Sequence, residues 1–567
     1  VDGIEIIPGA FPAPYGDRGA AVVDLTTRVP YEAHTRAGIS LTTASFSRGQ
    51  RFGADDRGAG LVSLRRGWLD VVFDLVGDDE EGQEEGAPEY TDAFVKADWS
   101  VADRTTIGTW ALWADDSLSS TETEDDGVLE TIDSSYGNTW FVGYGQRLWN
   151  DASVAKARVF TGVVDRDRTA SEAEGDSDFV VRDVRQLDVT GVAADASFDL
   201  GSHLLDVGFE ARSYSSQYDY VIDREFTNPV AGVGESVEDS FFDDTIEGES
   251  YAVWASDRWR LSDRLVAEAG VRYDRQTWLA EDDDQVSPRL ALVADLGEAG
   301  VLRGGWGLAH QSHRPNELSV EDGDTTFALA EKAEHRIVGW ERPFDRWRLR
   351  VDAWERLGSD LRPRYANLFS PSVLFPEGTP DRIRIDADRS RARGVELFAQ
   401  GRGGQRATWW ASYAWSEVED RIDGTWVPRA IDQTHALTLS AGFRLGRNWN
   451  LDTVWQYHTG WPITGLTAQL VDGDDGPEIE PILGTLYGER VADYHRLDVR
   501  LSRTYTLDWA EMQFYVDVQN LYNQENERGF EYTEDDFLVQ PDGSVLVTPT
   551  VDTWLGIVPS FGLTWSF

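Results

Sequence analysis

The run HQSH holds two histidines three residues apart, His310 and His313, the spacing most suggestive of metal chemistry in this sequence. On a strand, residues three apart point to opposite faces, so both rings could reach one ion only if the strand had already ended. The pair therefore reads as polar loop residues. His335, His435, His458 and His495 are scattered among strand ends and read as interface or lumen polar groups. Carboxylates are concentrated in four runs: seven acids in 78–89, six in 121–133, four in 281–284 and five in 472–480. None has the full spacing of a calcium loop. There is no Walker loop, nucleophile elbow or HExxH, and acid pairs are too abundant for one to stand out as general acid and base. Cysteine is absent, which removes thiolate ligands, thiol nucleophiles and disulfides. No catalytic residue, metal or cofactor is expected.

The elements that carry these residues are constrained by composition. The chain has 567 residues, with 101 acids against 52 Lys+Arg and a net charge of −49. That balance argues against nucleic-acid binding, which needs a basic footprint. Mean hydropathy is −0.42, and no apolar run approaches the ~18 residues of a membrane helix. A membrane β-barrel remains open, because its strands show only alternate residues to lipid. Aromatics make up 12% of the chain, with 23 Trp, which suits the two girdles of such a barrel. The chain does not begin with Met, and its only methionine is Met512.

Periodicity supports the barrel. From Leu555 to Phe567 the odd positions are Leu, Ile, Pro, Phe, Leu, Trp and Phe, and the even ones are small or polar except Val558. This is a strand with one apolar face; Pro559, lacking an N–H, predicts a bulge or an unpaired position there. Leu437, Leu439, Ala441, Phe443 and Leu445 likewise oppose Thr438, Ser440, Gly442 and Arg444, and Leu497, Val499 and Leu501 oppose Asp498, Arg500 and Ser502. Strands are expected at 22 places, from 39–48, 57–66 and 68–77, through 186–199 and 203–216, to 511–523 and 555–567. Tight turns (ADR at 102–104, SDR at 262–264, FDR at 344–346) alternate with long polar loops. Short turns at one end and long loops at the other are how an outer-membrane barrel is built, and a barrel this wide is normally plugged.

The whole chain resembles the TonB-dependent outer-membrane receptors. Residues 4–28 are similar to the end of that family's plug domain, through Ile4-Glu5-Ile6, Gly9, Tyr15-Gly16, Gly19 and VVDLTTR at 22–28. SPRLALVADL (287–296), HRPNELS (313–319), RARGVELFAQ (391–400), HTGWPIT (458–464), YHRLDVRLSR (494–503), YVDVQNLYNQEN (515–526) and the ending PSFGLTWSF resemble its barrel. The resemblance implies an all-β fold: residues 1–30 as the C-terminal end of a plug and 31–567 as a 22-stranded antiparallel transmembrane barrel in the outer membrane of a Gram-negative bacterium. It implies import of a scarce nutrient (a ferric chelate, cobalamin, an oligosaccharide or a peptide), with TonB as partner through a plug region not present in this chain. Either the chain is a fragment of a longer polypeptide, or it is a divergent barrel that has lost its plug. The alternative to import is a structural or adhesive barrel within a larger surface assembly, with a surface or periplasmic partner protein.

In this frame the acidic loops lie outside the cell. They are either a solvated surface or a means of capturing divalent cations that bridge to lipopolysaccharide, or a cationic ligand. Arg18 and Arg28 are expected to hold the N-terminal segment to lumen carboxylates such as Asp452, Asp498 and Asp517, because Arg binds carboxylates bidentately and keeps its charge. Phe567 is expected to serve as the terminal aromatic that the family's assembly machinery reads.

Overall fold

The computed structural model describes residues 2–28, 32–69, 83–84, 88–124, 127–174, 177–226, 240–279, 283–371, 373–473 and 476–567. Among them 22 antiparallel strands close into one barrel, and the short strands Gln83–Glu84 and Thr425–Pro428 prolong it. The first barrel strand, His34–Ser40, pairs with the last, Val558–Ser566, from Arg36 opposite Ser566 to Ser40 opposite Gly562. Among the described residues no helix is long and apolar enough to cross a membrane.

Register explains which face is which. Asp452 lies opposite Gly442 on one side and Arg500 on the other, and Arg500 lies opposite Asp517. Paired residues share a face, so these charges form one row across four strands. The alternate row contains Leu439, Phe443, Leu445 and Phe561, which are 41–57% exposed. So much exposed aliphatic and aromatic surface belongs to a wall facing lipid, with the charged row turned to the lumen. Among the described residues there is accordingly no single apolar core. The buried apolar residues form small clusters where loops or the N-terminal segment fold against the inner wall, or where loops meet one another.

Connections at one end are short, as at 103–104, 200–202, 263–264 and 344–346; those at the other include 312–330, 360–388, 459–493 and 520–557. Most of the acidic run 78–89, and parts of those at 121–133, 281–284 and 472–480, lie outside the described residues.

One strand assignment needs correction. The strand expected at 39–48 is two strands, His34–Ser40 and Thr43–Phe52. Ser40 makes the hidden turn: its Oγ accepts the Thr42 N–H at 3.3 Å and donates to the Thr43 carbonyl at 3.2 Å, a hydroxyl-built turn without glycine or proline. The strand expected at 68–77 falls mainly outside the described residues. At Pro559 the register with the neighbouring strand is unbroken, with Pro559 opposite Val518, and pairing with the first strand ends earlier, at Gly562.

The six strands Thr105–Glu124, Gly127–Leu148, Val154–Glu174, Ser177–Asp199, His203–Phe226 and Ser240–Ser262 are 20 to 24 residues long. A bilayer requires about 9–11. The surplus continues at the long-loop end as a sheet whose outer face carries polar residues such as Arg182, Gln186, Gln217 and Asp219 together with the exposed Val180, Val221 and Phe241.

Candidate functional site

The site is built around the N-terminal segment, residues 2–28, which lies against the inner wall. Gly3–Pro8 and Ala21–Thr26 pair as a hairpin. Between them the chain is irregular, with Gly9, Ala10 and Asp17 at positive φ. Its carbonyls have no ladder to join, and buried carbonyls need donors.

Four of five consecutive strands supply them, and the fifth accepts an N–H of the segment. Arg272, on Leu265–Gln276, donates to the Pro14 carbonyl at 2.9 Å. Arg289, on Gln285–Asp295, donates to the carbonyl of Phe11 at 2.9 Å and to that of Pro12. Gln311, at the end of Val301–Gln311, accepts the Gly19 N–H at 2.8 Å. His335, on Glu331–Pro343, and Arg356, on Trp347–Ser359, converge on the Gly19 carbonyl at 3.1 and 2.6 Å. Next to them Asp17 accepts from the N–H and hydroxyl of Ser312 at 2.7 and 2.9 Å. At the segment's far end Lys96 donates to the Thr27 hydroxyl at 3.1 Å.

Packing fixes the approach. Phe11 is buried with Val22 and Ala309, and the Arg289 guanidinium sits 5.2 Å from the Phe11 ring centroid, within cation–π range. A Cβ on Gly16 would stand 1.8 Å from Arg272 Nε, and one on Gly9, whose φ is +71°, would stand 2.6 Å from His335 Nδ1. Both positions need glycine. Tyr15 donates to Asp24 at 2.8 Å; burial, then Asp24, pushes its phenol up to about 12.

The charges that hold the segment are thus reversed from expectation. The cations are on the barrel, and their acceptors are backbone carbonyls of the segment. Arg28 instead pairs with Asp2, 3.6 Å away in its own segment, and Arg18 lies close enough to Tyr15 to act on its phenol. Asp452, Asp498 and Asp517 share the inner face, but their contacts lie within the barrel. Asp498 pairs with Arg496 at 3.1 Å and accepts the Asn520 N–H at 3.0 Å; Asp517 pairs with Arg500 at 3.3 Å. Asp452 lines a cavity of about 940 Å³ at the short-turn end, with Arg348, Gln400, Thr408 and Trp410. Arg is well suited to the barrel's role because one planar fork serves several carbonyls and stays charged. The signal was present in the sequence: Arg272, Arg289 and Arg356 all sit at lumen-facing positions of their strands.

At the long-loop end, loops fold inward. Loop 312–330 docks where Tyr218 donates to the Pro315 carbonyl at 2.7 Å and accepts the Leu318 N–H at 3.1 Å. Asp183, fully buried, meets Arg166, Arg168 and Arg185. Arg185 continues to Glu321, and Arg168 to Glu377 of loop 360–388, each at 2.6 Å. Asp322 pairs with Arg382 at 2.5 Å; burial pushes its carboxyl up to about 6 although Arg382 pulls it down. Leu368, Phe369, Leu466 and Phe537 join loops 360–388, 459–493 and 520–557 in a second apolar cluster. The strand of His310 does end before His313, but the two imidazoles are engaged apart: His310 with Ser287 at 3.0 Å, and His313 against the Phe327 ring. Among the described residues no group of three or more His, Asp or Glu could hold a metal.

Phe567 exchanges backbone hydrogen bonds with Thr35, at 2.6 and 2.9 Å, and so closes the barrel. Its ring is about half exposed, near Trp509.

This architecture has known counterparts. The family model described as TonB dependent receptor-like, beta-barrel matches residues 40–521. No curated protein matches the sequence. Among solved structures, FpvA of P. aeruginosa in complex with a heterologous ferric pyoverdine is 11% identical with a TM-score of 0.67, covering 100% of this chain and 76% of that one. BauA, the ferric preacinetobactin receptor of Acinetobacter baumannii, is 13% identical with a TM-score of 0.67, covering 100% and 85%. The copper transporter OprC is 13% identical with a TM-score of 0.67, covering 99% and 85%. At these identities the likeness shows the fold. Taken with the family match over most of its length, the chain belongs to the TonB-dependent receptors, outer-membrane β-barrel transporters of Gram-negative bacteria.

Proposed function

We propose that the protein imports an anionic metal chelate, of the ferric-chelate class, in a TonB-energised cycle, and that residues 1–30 are the end of a plug domain that closes the lumen. The observation that carries this reading is the basic clamp. Arg272, Arg289 and Arg356 grip a short irregular segment by its carbonyls, and a grip of a few hydrogen bonds can be released without dismantling the barrel. Each hydrogen bond to a charged donor contributes about 1.5–3 kcal/mol, within reach of an energised pull.

A plug supplies a reason for the hairpin's free face. Ile4, Ile6, Val23 and Leu25 are 58–65% exposed, and Ile4–Leu25 and Ile6–Val23 are cross-strand pairs on one side. A two-stranded hairpin with an uncovered apolar face is marginal alone; further plug strands would cover it.

The preference for an anion rests on the loop-side lumen. Arg364 and Arg429 converge on Asp420, and Arg362 lies 3.8 Å from Glu331, near Arg356. Burial, then the neighbouring Arg429, pulls Arg364 down to about 10. Four guanidiniums against two carboxylates is a cationic surplus inside a chain of charge −49, and it favours an anionic ligand over a neutral sugar.

The test is uptake of radioiron chelates by cells expressing the complete gene, with and without TonB. The reading predicts uptake that disappears without TonB and falls strongly in Arg364→Gln/Arg429→Gln. Equal uptake in both strains would defeat it.

A further inference from the structure

On the outer, lipid-facing surface near the short-turn end, the wall is dented. Two neighbouring rows of residues run across its strands. The first is Thr105, Arg147, Ala155, Ala196 and Val207; the second is Ile107, Gly145, Ala157, Ala194 and Phe209. Five alanines and glycines occupy their middle, and a cavity of about 500 Å³ lies over them. Val207 and Phe209 wall one end, and Arg147, an exposed residue, stands at the other. The floor is open: a Cβ built on Gly145 would meet only Ile107, at 4.0 Å. Further up the strands Phe141, Val159 and Val192 face outward, 44–59% exposed. Toward the turns, Trp149 stacks on Phe198 with centroids 5.8 Å apart, as expected at a membrane interface.

An apolar dent in a lipid-facing wall forfeits dispersion contacts unless something fills it, and it offers water few partners. Shape selects the occupant. The dent is shallow, open to the bilayer and floored by small residues of adjacent strands, and it suits a hydrocarbon chain laid against the wall. Charge selects the headgroup. In a strongly acidic chain, the outward residue at the groove's interfacial end is an arginine, the side chain that pairs best with phosphate.

We infer that the groove across strands Thr105–Glu124 to His203–Phe226 seats one glycerophospholipid of the short-turn leaflet, with an acyl chain over Gly145, Ala155, Ala157, Ala194 and Ala196 and its phosphate on Arg147. The lipid completes the wall over this patch of small residues.

Native mass spectrometry of the full-length protein in maltoside detergent, incubated with dioleoylphosphatidylglycerol, tests this. One lipid should persist at activation energies that strip the others. Ala157→Phe and Ala194→Phe, which exchange one lipid-facing apolar residue for another and preserve the fold, should abolish that retention. Arg147→Gln should weaken it about tenfold, the equivalent of one lost charge-assisted contact. Dioleoylglycerol, which has the same chains without the phosphate, should be held about tenfold less well than the phospholipid. Equal retention by wild type and the two Phe variants, equal retention of both lipids, or a co-purifying polypeptide in the groove would each overturn the inference. Heat-modifiable gel mobility confirms that every variant is folded.

Discussion

At the scale of single residues, the segment in the lumen is held by side chains that face carbonyls. Arg289→Ala removes donors to both Phe11 and Pro12 and leaves those carbonyls short of partners, at a cost of about 1.5–3 kcal/mol. It is expected to raise single-channel conductance in planar bilayers, whereas Arg28→Ala, which loses only an exposed pair with Asp2, should leave it unchanged. Asp322 gives a pH prediction. Burial raises its folded-state value to about 6 from the ordinary carboxyl range near 4. The folded loop therefore binds the proton more tightly than the unfolded chain. The associated stability is fully present below about pH 4 and is lost as pH rises through about 6. Hydrogen exchange in loop 312–330 should accordingly slow as pH falls across that window, after correction for intrinsic rates, and Asp322→Asn should flatten the profile. A profile unchanged in the variant would remove Asp322 from the docking of this loop.

At the scale of strands, period two was legible because lipid on one side and water on the other impose it. The limits of that signal are physical as well. Beyond the membrane both faces meet water or loops, so alternation fades while pairing continues. The strand expected to end at 216 runs on to Phe226 for this reason, and the one expected to begin at 186 starts at Ser177. Ser40 closed a turn that carried no glycine or proline to mark it. A pair of variants on the strand His203–Phe226 checks the assignment. Phe209 and Gln217 are both on the outer face, eight residues apart, or roughly 26 Å along the strand. Phe209→Arg should destabilise the barrel by about 2–4 kcal/mol, and Gln217→Arg by about 0–1 kcal/mol, read from urea-dependent folding into vesicles. Similar costs at both sites would contradict the placement of the membrane boundary.

For the whole molecule, closure depends on the two ends of the barrel meeting. Phe567 exchanges both of its backbone hydrogen bonds with Thr35, so Phe567→Asp should reduce the amount of heat-modifiable, folded barrel in the outer membrane. The barrel and its terminal strand could be read from the sequence because hydrophobic alternation is local. The site was only partly legible. Its carboxylates Asp452, Asp498 and Asp517 are on the inner face as their alternation implied, but their partners are set by cross-strand register, which brings Arg500 beside Asp517. The clamp joins residues about 280 positions apart, such as Phe11 and Arg289, and no local pattern reports which carbonyls of an irregular segment lack donors.

The central claim is that the segment is held in the lumen at rest and released when TonB acts. Because the sequence contains no cysteine, Ala13→Cys provides a unique label at a position only 1% exposed inside the clamp. The measurement is the rate of maleimide labelling of that cysteine in living cells supplied with the chelate, with and without TonB. The account predicts slow labelling at rest and in cells without TonB, and markedly faster labelling when chelate and TonB are both present. Equal labelling rates in the two strains would contradict it.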